Sequence, residues 1–258
     1  MAYNIFSRIA FIIILIVLCN ACASTEALHK GFTKRKTSLK YINDTKWQEK
    51  TTPYTVCVDK VLLNDGKFRG PGLVRKIKSS VIPLIIYTGW KADHDYRLGQ
   101  DGIKEDIGAF IQCAMIEESN RSGIFKADTL QSVSNFKLEI EVESLGVSGP
   151  YHQEGFFVFL YLVYVWSFQE AGGQSQAYSK FHYTLKKDGI TVLDAYAKSE
   201  QQSERFHTTY PSKKIIRSAF NTSMVEALSL TFKKNIETIV KDVNRYLLLQ
   251  QKEQMTQN

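Results

Sequence analysis

Apolar and polar residues recur with two different periods along this chain, and the changes of period divide it into elements. Ile103, Ile107, Phe110, Ile111 and Ala114 follow one another at three- and four-residue steps. That spacing predicts a helix from about Asp101 to Ser119 with one apolar face, stopped by Asn120-Arg121-Ser122-Gly123 with Gly123 as its C-cap. A second stripe of this kind runs through Ile216, Phe220, Leu228, Phe232, Ile236, Val240, Val243 and Leu247, with Lys233, Lys234, Glu237, Lys241 and Arg245 away from it. Either Ser223-Met-Val-Glu226 forms a capping box that divides this element, or it is one helix of about 37 residues.

Between the two helices the period is two. Phe136, Leu138, Ile140 and Val142 alternate with Lys137, Glu139, Glu141 and Glu143, the pattern of a strand with one wet face. Thr55 to Leu63 reads as a first strand ended by Asn64-Asp65-Gly66, and Ser80 to Tyr87 as an edge or extended segment because of Pro83. Asp93 to Gly102 reads as polar loop. Lys180–Lys187 and Ile190–Lys198 flank Asp188-Gly189, a two-residue hairpin turn that sets Leu185 opposite Val192 and Phe181 opposite Tyr196. The whole predicts an α+β fold: an antiparallel β-meander sheet covered by the mid-chain helix and the long C-terminal amphipathic helix. One domain spans residues 53–249, and 250–258 form a polar tail.

Phe156 to Phe168 (FFVFLYLVYVWSF) breaks the alternation, being apolar on both faces. It reads as the central strand of a sheet covered on both sides. A membrane-inserted strand or the wall of a lipid-binding cleft are the other readings, with Phe157, Phe159 and Tyr161 as the ligand or partner surface. An inserted strand needs equally apolar neighbours, and 136–143 and 180–187 are polar on one face.

The N-terminus adds an address. Arg8, an apolar run from Ile9 to Cys19 and the small residue Ala21 read as a signal peptide over residues 1–21. The run is short of the roughly 20 residues a spanning helix takes. Cys22 after the cleavage point resembles the lipobox of bacterial lipoproteins, which implies acylation of its thiol; Cys19 occupies the place of the usual aliphatic residue. Removing residues 1–21 takes away one of 33 basic residues and none of the 26 acidic ones, leaving an excess of six. Part of that excess, Lys30, Lys34, Arg35, Lys36 and Lys40, lies in a segment without sustained periodicity. Residues 22–52 are therefore expected to be a lipidated basic tether that meets anionic headgroups or simply stays solvated. With Cys19 in the signal and Cys22 lipidated, Cys57 and Cys113 remain as a candidate disulfide or as two separate thiols.

Reactive chemistry is sparse. Asp93-His94-Asp95 offers metal-competent side chains on adjacent positions, and His29, His152, His182 and His207 are scattered, with no HExxH or CxxC spacing. Gly70-Pro71-Gly72 lacks both phosphate-loop patterns, and Gly146-Val-Ser148-Gly149 misses the nucleophile elbow by one position. Glu139, Glu141 and Glu143 read as a solvated strand face. The expectation is a chain that is not an enzyme and carries no cofactor and no metal. No basic-aromatic motif points to nucleic acid.

The order of elements, with the apolar segment Ile82–Tyr87 and the corner Ser122-Gly123-Ile124-Phe125, resembles bacterial envelope lipoproteins. These are built on the small α/β domain shared by the TolB N-terminal domain, the curli-secretion lipoprotein and ABC-transport auxiliary lipoproteins. Ile124 departs from the usual Ser-Gly-aromatic corner. The resemblance spans about residues 54–245. It implies a membrane-anchored, non-catalytic accessory or assembly subunit with envelope protein partners, membrane lipid bound through Cys22, and homo-oligomerisation as a further possibility. The lipoprotein sorting pattern, with Ala23 after the cysteine, implies the outer membrane facing the periplasm. A lipid- or glycolipid-binding envelope protein using strand 156–168 is the alternative.

Overall fold

In the computed structural model, residues 25–34, 36–47, 50–64, 76–82, 86–130, 134–160, 163–204 and 212–257 are described. Cys22, Tyr161, the Gly70–Gly72 loop and His207 lie outside them. A helix, α1 (Thr25–Thr33), comes first, and short strands β1 (Thr55–Val58) and β2 (Leu62–Leu63) follow. Next are β3 (Lys76–Ile82), β4 (Ile86–Arg97), a 3-10 turn (Gln100–Gly102), α2 (Ile107–Ser122) and β5 (Lys126–Asp128). The chain ends with β6 (Phe136–Leu160), β7 (Val163–Gly172), β8 (Gln176–Lys187), β9 (Ile190–Gln202) and α3 (Lys213–Gln257).

The fold is α+β, but its sheet is mixed. β1 and β2 run parallel to β6, and β1 also pairs in parallel with β5. The antiparallel meander expected from the sequence is thus only part of it. β6 is the spine. Its first half lies between β1/β2 and β8, and its second half between β4 and β7. The first half belongs to a body packed under α2 and α3. The second half belongs to a four-stranded antiparallel blade in the order β3-β4-β6-β7.

Local chemistry explains the elements that were foreseen. Asp106 caps α2 by accepting from the Ala109 amide at 2.8 Å, and Gly123 closes it at φ 69°. Asp188 and Gly189 both take positive φ, as a two-residue hairpin turn requires. A register shift beside that turn sets Leu185 opposite Leu193 and Phe181 opposite Ala197, one place from the expected pairs. Tyr196 consequently stands on the outer face, stacked on His182.

Other boundaries moved further. α3 is unbroken through Ser223 and runs through the expected polar tail to Gln257. Asp93–Arg97, expected as loop, is the end of β4 and buries His94.

The largest correction concerns residues 25–52. Leu28, Phe32 and Leu39 are buried in the core, so this segment is a strap along the body and not a free tether. Tyr41 and Trp47 donate to the two carboxylate oxygens of buried Glu118 at 2.8 and 2.6 Å. Thr45 donates to Glu237 at 2.5 Å, which explains why Glu237 is buried despite its place on the polar side of α3.

Candidate functional site

The run Phe156–Phe168 is not one covered strand. Its described residues are the end of β6, to Leu160, and the start of β7, from Val163, which pair antiparallel. Nothing in LYLV marks a turn by composition, which is why the hairpin is invisible in the sequence. Its neighbour on the other side is β4, which begins in the apolar stretch Ile82–Tyr87: Ile86 pairs with Phe159 and Thr88 with Phe157. The two hairpin ends, β3–β4 and β6–β7, therefore lie side by side at one end of the sheet. The strands beside the aromatic run are thus β4 and its own partner β7, not 136–143 and 180–187.

The start of β7 exposes its apolar side chains. Val163, Tyr164, Val165 and Trp166 are 63%, 66%, 52% and 67% exposed, and they alternate between the two faces of β7. Four such groups in sequence on an open strand form a patch that monomeric soluble domains rarely leave in water. Phe157 faces Trp166 across the strands and is half-buried. Phe159 shares this row pattern by register with Tyr164. Phe157 and Phe159 stand on the β6 arm of the blade, and Tyr161 lies outside the described residues.

One row further in, the character changes. Lys78, Lys91, Glu154 and Gln169 occupy paired positions across the four strands, and Lys91 meets Glu154 at 3.1 Å. From Gly155 to Leu160 the strand carries apolar sequence about 20 Å past this charged row. That is somewhat more than the hydrocarbon depth of one leaflet, about 15 Å of a 30 Å core.

A buried polar network roots the blade in the body. Glu170 of β7, its side chain fully buried, receives Arg217 of α3 in a bidentate pair at 2.9 and 2.6 Å. Tyr151 donates to the same carboxylate at 2.5 Å and Gln153 at 3.0 Å, and His94 Nε2 lies 3.1 Å from Gln153 Oε1. Burial and then the Glu170 charge push the Tyr151 phenol well above its usual range, so it stays a donor. Burial disfavours the Arg217 cation, but the hydrogen bonds and charge of Glu170 outweigh this and raise its pKa. Lys213, one turn before Arg217, sits 3.4 Å over the Phe168 ring. Neither Glu170 nor Arg217 stands out in the sequence, since a lone acid in an apolar strand has no spacing signature.

The strap runs along α3 from this end to the other. A side chain added at Gly31 would meet the Arg217 guanidinium at 2.3 Å, and Phe32 packs on Tyr151 and Phe220. Lys40 donates its amide to Ser229, Asp44 pairs with Lys233, and Tyr54 reaches Gln254 at 3.0 Å. Gly31 and Phe32 of α1 accordingly lie beside the Arg217–Glu170 pair at the root of the blade.

The remaining candidates do not converge. Cys57 and Cys113 are free thiols, one buried on β1 and one exposed on α2, so the disulfide alternative is not formed. His152 bonds Asp93 at 2.6 Å and His182 bonds Asp194 at 2.7 Å, on exposed strand positions. Among the described residues no three His, Cys, Asp or Glu side chains group as a metal site, and no helix is long and apolar enough to cross a membrane. Glu139 and Glu143 are tied to Lys186 and Lys180 on the outer face of the sheet.

Among solved structures the chain is similar to a Xanthomonas campestris protein of the family DUF330. The TM-score is 0.46 and the identity 11%, covering 84% of this chain and 98% of that one. It is similar also to an uncharacterised protein at TM-score 0.41 and 9% identity, covering 81% and 99%. No family model matches the chain, and no curated protein matches it.

Proposed function

We propose that this chain is a membrane-anchored, non-catalytic envelope protein that sets its β3-β4-β6-β7 blade into the bilayer holding its anchor. The observation that carries this reading is the exposed apolar edge Val163–Trp166, across β6 from the first residues of β4 and beyond a charged row. Moving four such side chains from water to hydrocarbon is worth on the order of 5 kcal/mol or more. Acylated Cys22 would anchor the same molecule a few residues before α1, whose Gly31 packs at the root of the blade. In this reading the body, facing the periplasm from the outer membrane, holds partner proteins of an envelope complex, and the rooted blade fixes its orientation.

Flotation of the Cys22→Ala chain with phosphatidylcholine vesicles tests the blade apart from the anchor. Binding that is lost in Tyr164→Ser/Trp166→Ser is the expected result. A chain that stays in solution as wild type sinks the reading. The anchor is tested by intact mass: diacylglyceryl and acyl groups on residues 22–258, absent from Cys22→Ala.

A second reading has its own observation. Among the described residues β3 pairs only with β4 and β7 only with β6, so both outer strands of the blade are edges. They run in opposite directions, and β7 of one copy suits β3 of the next in antiparallel pairing. Side-by-side homo-oligomerisation in the membrane follows from that geometry.

A further inference from the structure

We propose that a lysine collar at the root of the blade binds the anionic headgroups of the bilayer, so that this chain selects acidic phospholipid. The inference rests on the membrane reading above and names the lipid class for it. The collar is built by three separate elements that the fold brings to one level. Lys91 lies on the charged row of β4. Lys213 and Lys214 open α3, with the Lys213 ammonium held 3.4 Å over Phe168, the innermost aromatic residue of the β7 hairpin arm. Exposed Lys30 precedes Gly31, where an added Cβ would meet the Arg217 guanidinium.

All three elements present exposed lysines where the apolar stretch ends. With the blade in hydrocarbon, this level coincides with the phosphates. Long lysine stems can then lie along apolar surface while their charges stay in the headgroup layer.

The carboxylates at the same level are already occupied. Glu154 is taken by Lys91, Glu170 by Arg217 inside the body, Asp93 by His152 and Asp101 by His29. No carboxylate forms an ion pair with Lys213 or Lys214 among the described residues, so these two are the cations the collar offers to lipid phosphates, while Lys91 is shared with Glu154. Each lysine near an anionic surface is worth about a fivefold gain in partition at moderate salt. The attraction should fade as salt screening shortens its range.

The test compares vesicles of phosphatidylcholine alone with vesicles containing phosphatidylglycerol, using the Cys22→Ala chain. The expected result is tighter binding to the acidic vesicles, with Lys213→Gln/Lys214→Gln removing about 30-fold of that preference. Binding of this variant to neutral vesicles should remain at the wild-type level, and Lys213→Arg/Lys214→Arg should retain the preference. Equal preference in the glutamine variant and wild type would overturn the collar while leaving the blade reading intact. Failure of wild type on both vesicle types overturns both. Displacement by millimolar inorganic phosphate at constant ionic strength would also overturn it, in favour of a discrete phosphate site.

Discussion

Arg217 and Glu170 join the start of α3 to β7 at the point where the blade leaves the body, through two hydrogen bonds of 2.9 and 2.6 Å. The Glu170 side chain is fully buried, so removing its partner strands a charge away from water. Arg217→Met should cost about 3–5 kcal/mol of unfolding free energy. Arg217→Met/Glu170→Met should recover much of that loss, because an apolar pair leaves no charge uncompensated. Urea midpoints at constant m-value measure both. A single variant within 1 kcal/mol of wild type would show the pair is hydrated and the root of the blade open.

The strap makes a second, sharper prediction. Phe32 is 1% exposed and packs on Tyr96, Tyr151 and Phe220. Phe32→Ala should therefore cost about 3–5 kcal/mol. A Gly31 substitution should act through the neighbouring ion pair, since the added methyl needs the space of the Arg217 guanidinium. Gly31→Ala is expected to lower the thermal midpoint, and to do so much less in the Arg217→Met background. A tether would show no effect from any of these changes.

Much of the body was legible from periodicity. The mid-chain helix with its Gly123 cap, the Asp188-Gly189 hairpin and the apolar stripe of α3 rest on local signals, although that helix starts at Ile107 and not near Asp101, where a separate 3-10 turn lies. What escaped reading depends on distant partners. Leu28, Phe32 and Leu39 follow no period because the strap is irregular after α1 and is buried by α3 and β6, not by its own pattern. Parallel pairing of β1 with β6 leaves no mark in either strand. The aromatic stretch is recognisable as unusual, but its division between β6 and β7 and the pairing of its first half with β4 are not. Both are properties of pairing rather than of local composition.

Thiol chemistry separates the two cysteines. Cys113 is exposed on α2, whereas Cys57 is buried and donates to the Thr129 carbonyl at 3.5 Å. Burial, reinforced by Asp59, pushes the Cys57 pKa up and makes its thiolate scarcer still. In the native Cys22→Ala chain lacking its signal, one thiol should react rapidly with an aromatic disulfide reagent and the second only after unfolding. A mass unchanged by reductant should accompany this. Two mass units gained on reduction would restore the Cys57–Cys113 bond.

Acid should loosen the outer face of the sheet. Asp59 is held below the usual carboxylate range by its hydrogen bond to Lys137, and Glu139 by its bond to Lys186. A depressed folded pKa contributes stability that is present above the unfolded value near 4 and lost as pH falls through the folded value. Both groups are partly exposed, at 45% and 34%, so each contributes under about 1 kcal/mol. Stability should fall below about pH 4, and Asp59→Asn/Glu139→Gln should flatten that limb while lowering stability at neutral pH. An unchanged acid limb would place the titrating groups elsewhere.

The edges of the blade yield the last prediction. In water the outer backbone groups of β3 and β7 are solvated, and a monomer has no need of a second chain. Hydrocarbon offers no such partner, and each unsatisfied amide or carbonyl there costs several kcal/mol. Insertion and edge pairing are thus coupled: the deeper the blade sits, the stronger the drive for β7 of one copy to meet β3 of another. Amine-reactive cross-linking of the Cys22→Ala chain should give monomer in buffer and a ladder of multiples on vesicles. Tyr164→Ser/Trp166→Ser should abolish the ladder together with binding. Monomers alone on vesicles, at saturating binding, would confine the blade to the hydrated headgroup layer, where water and lipid phosphates can satisfy its edges.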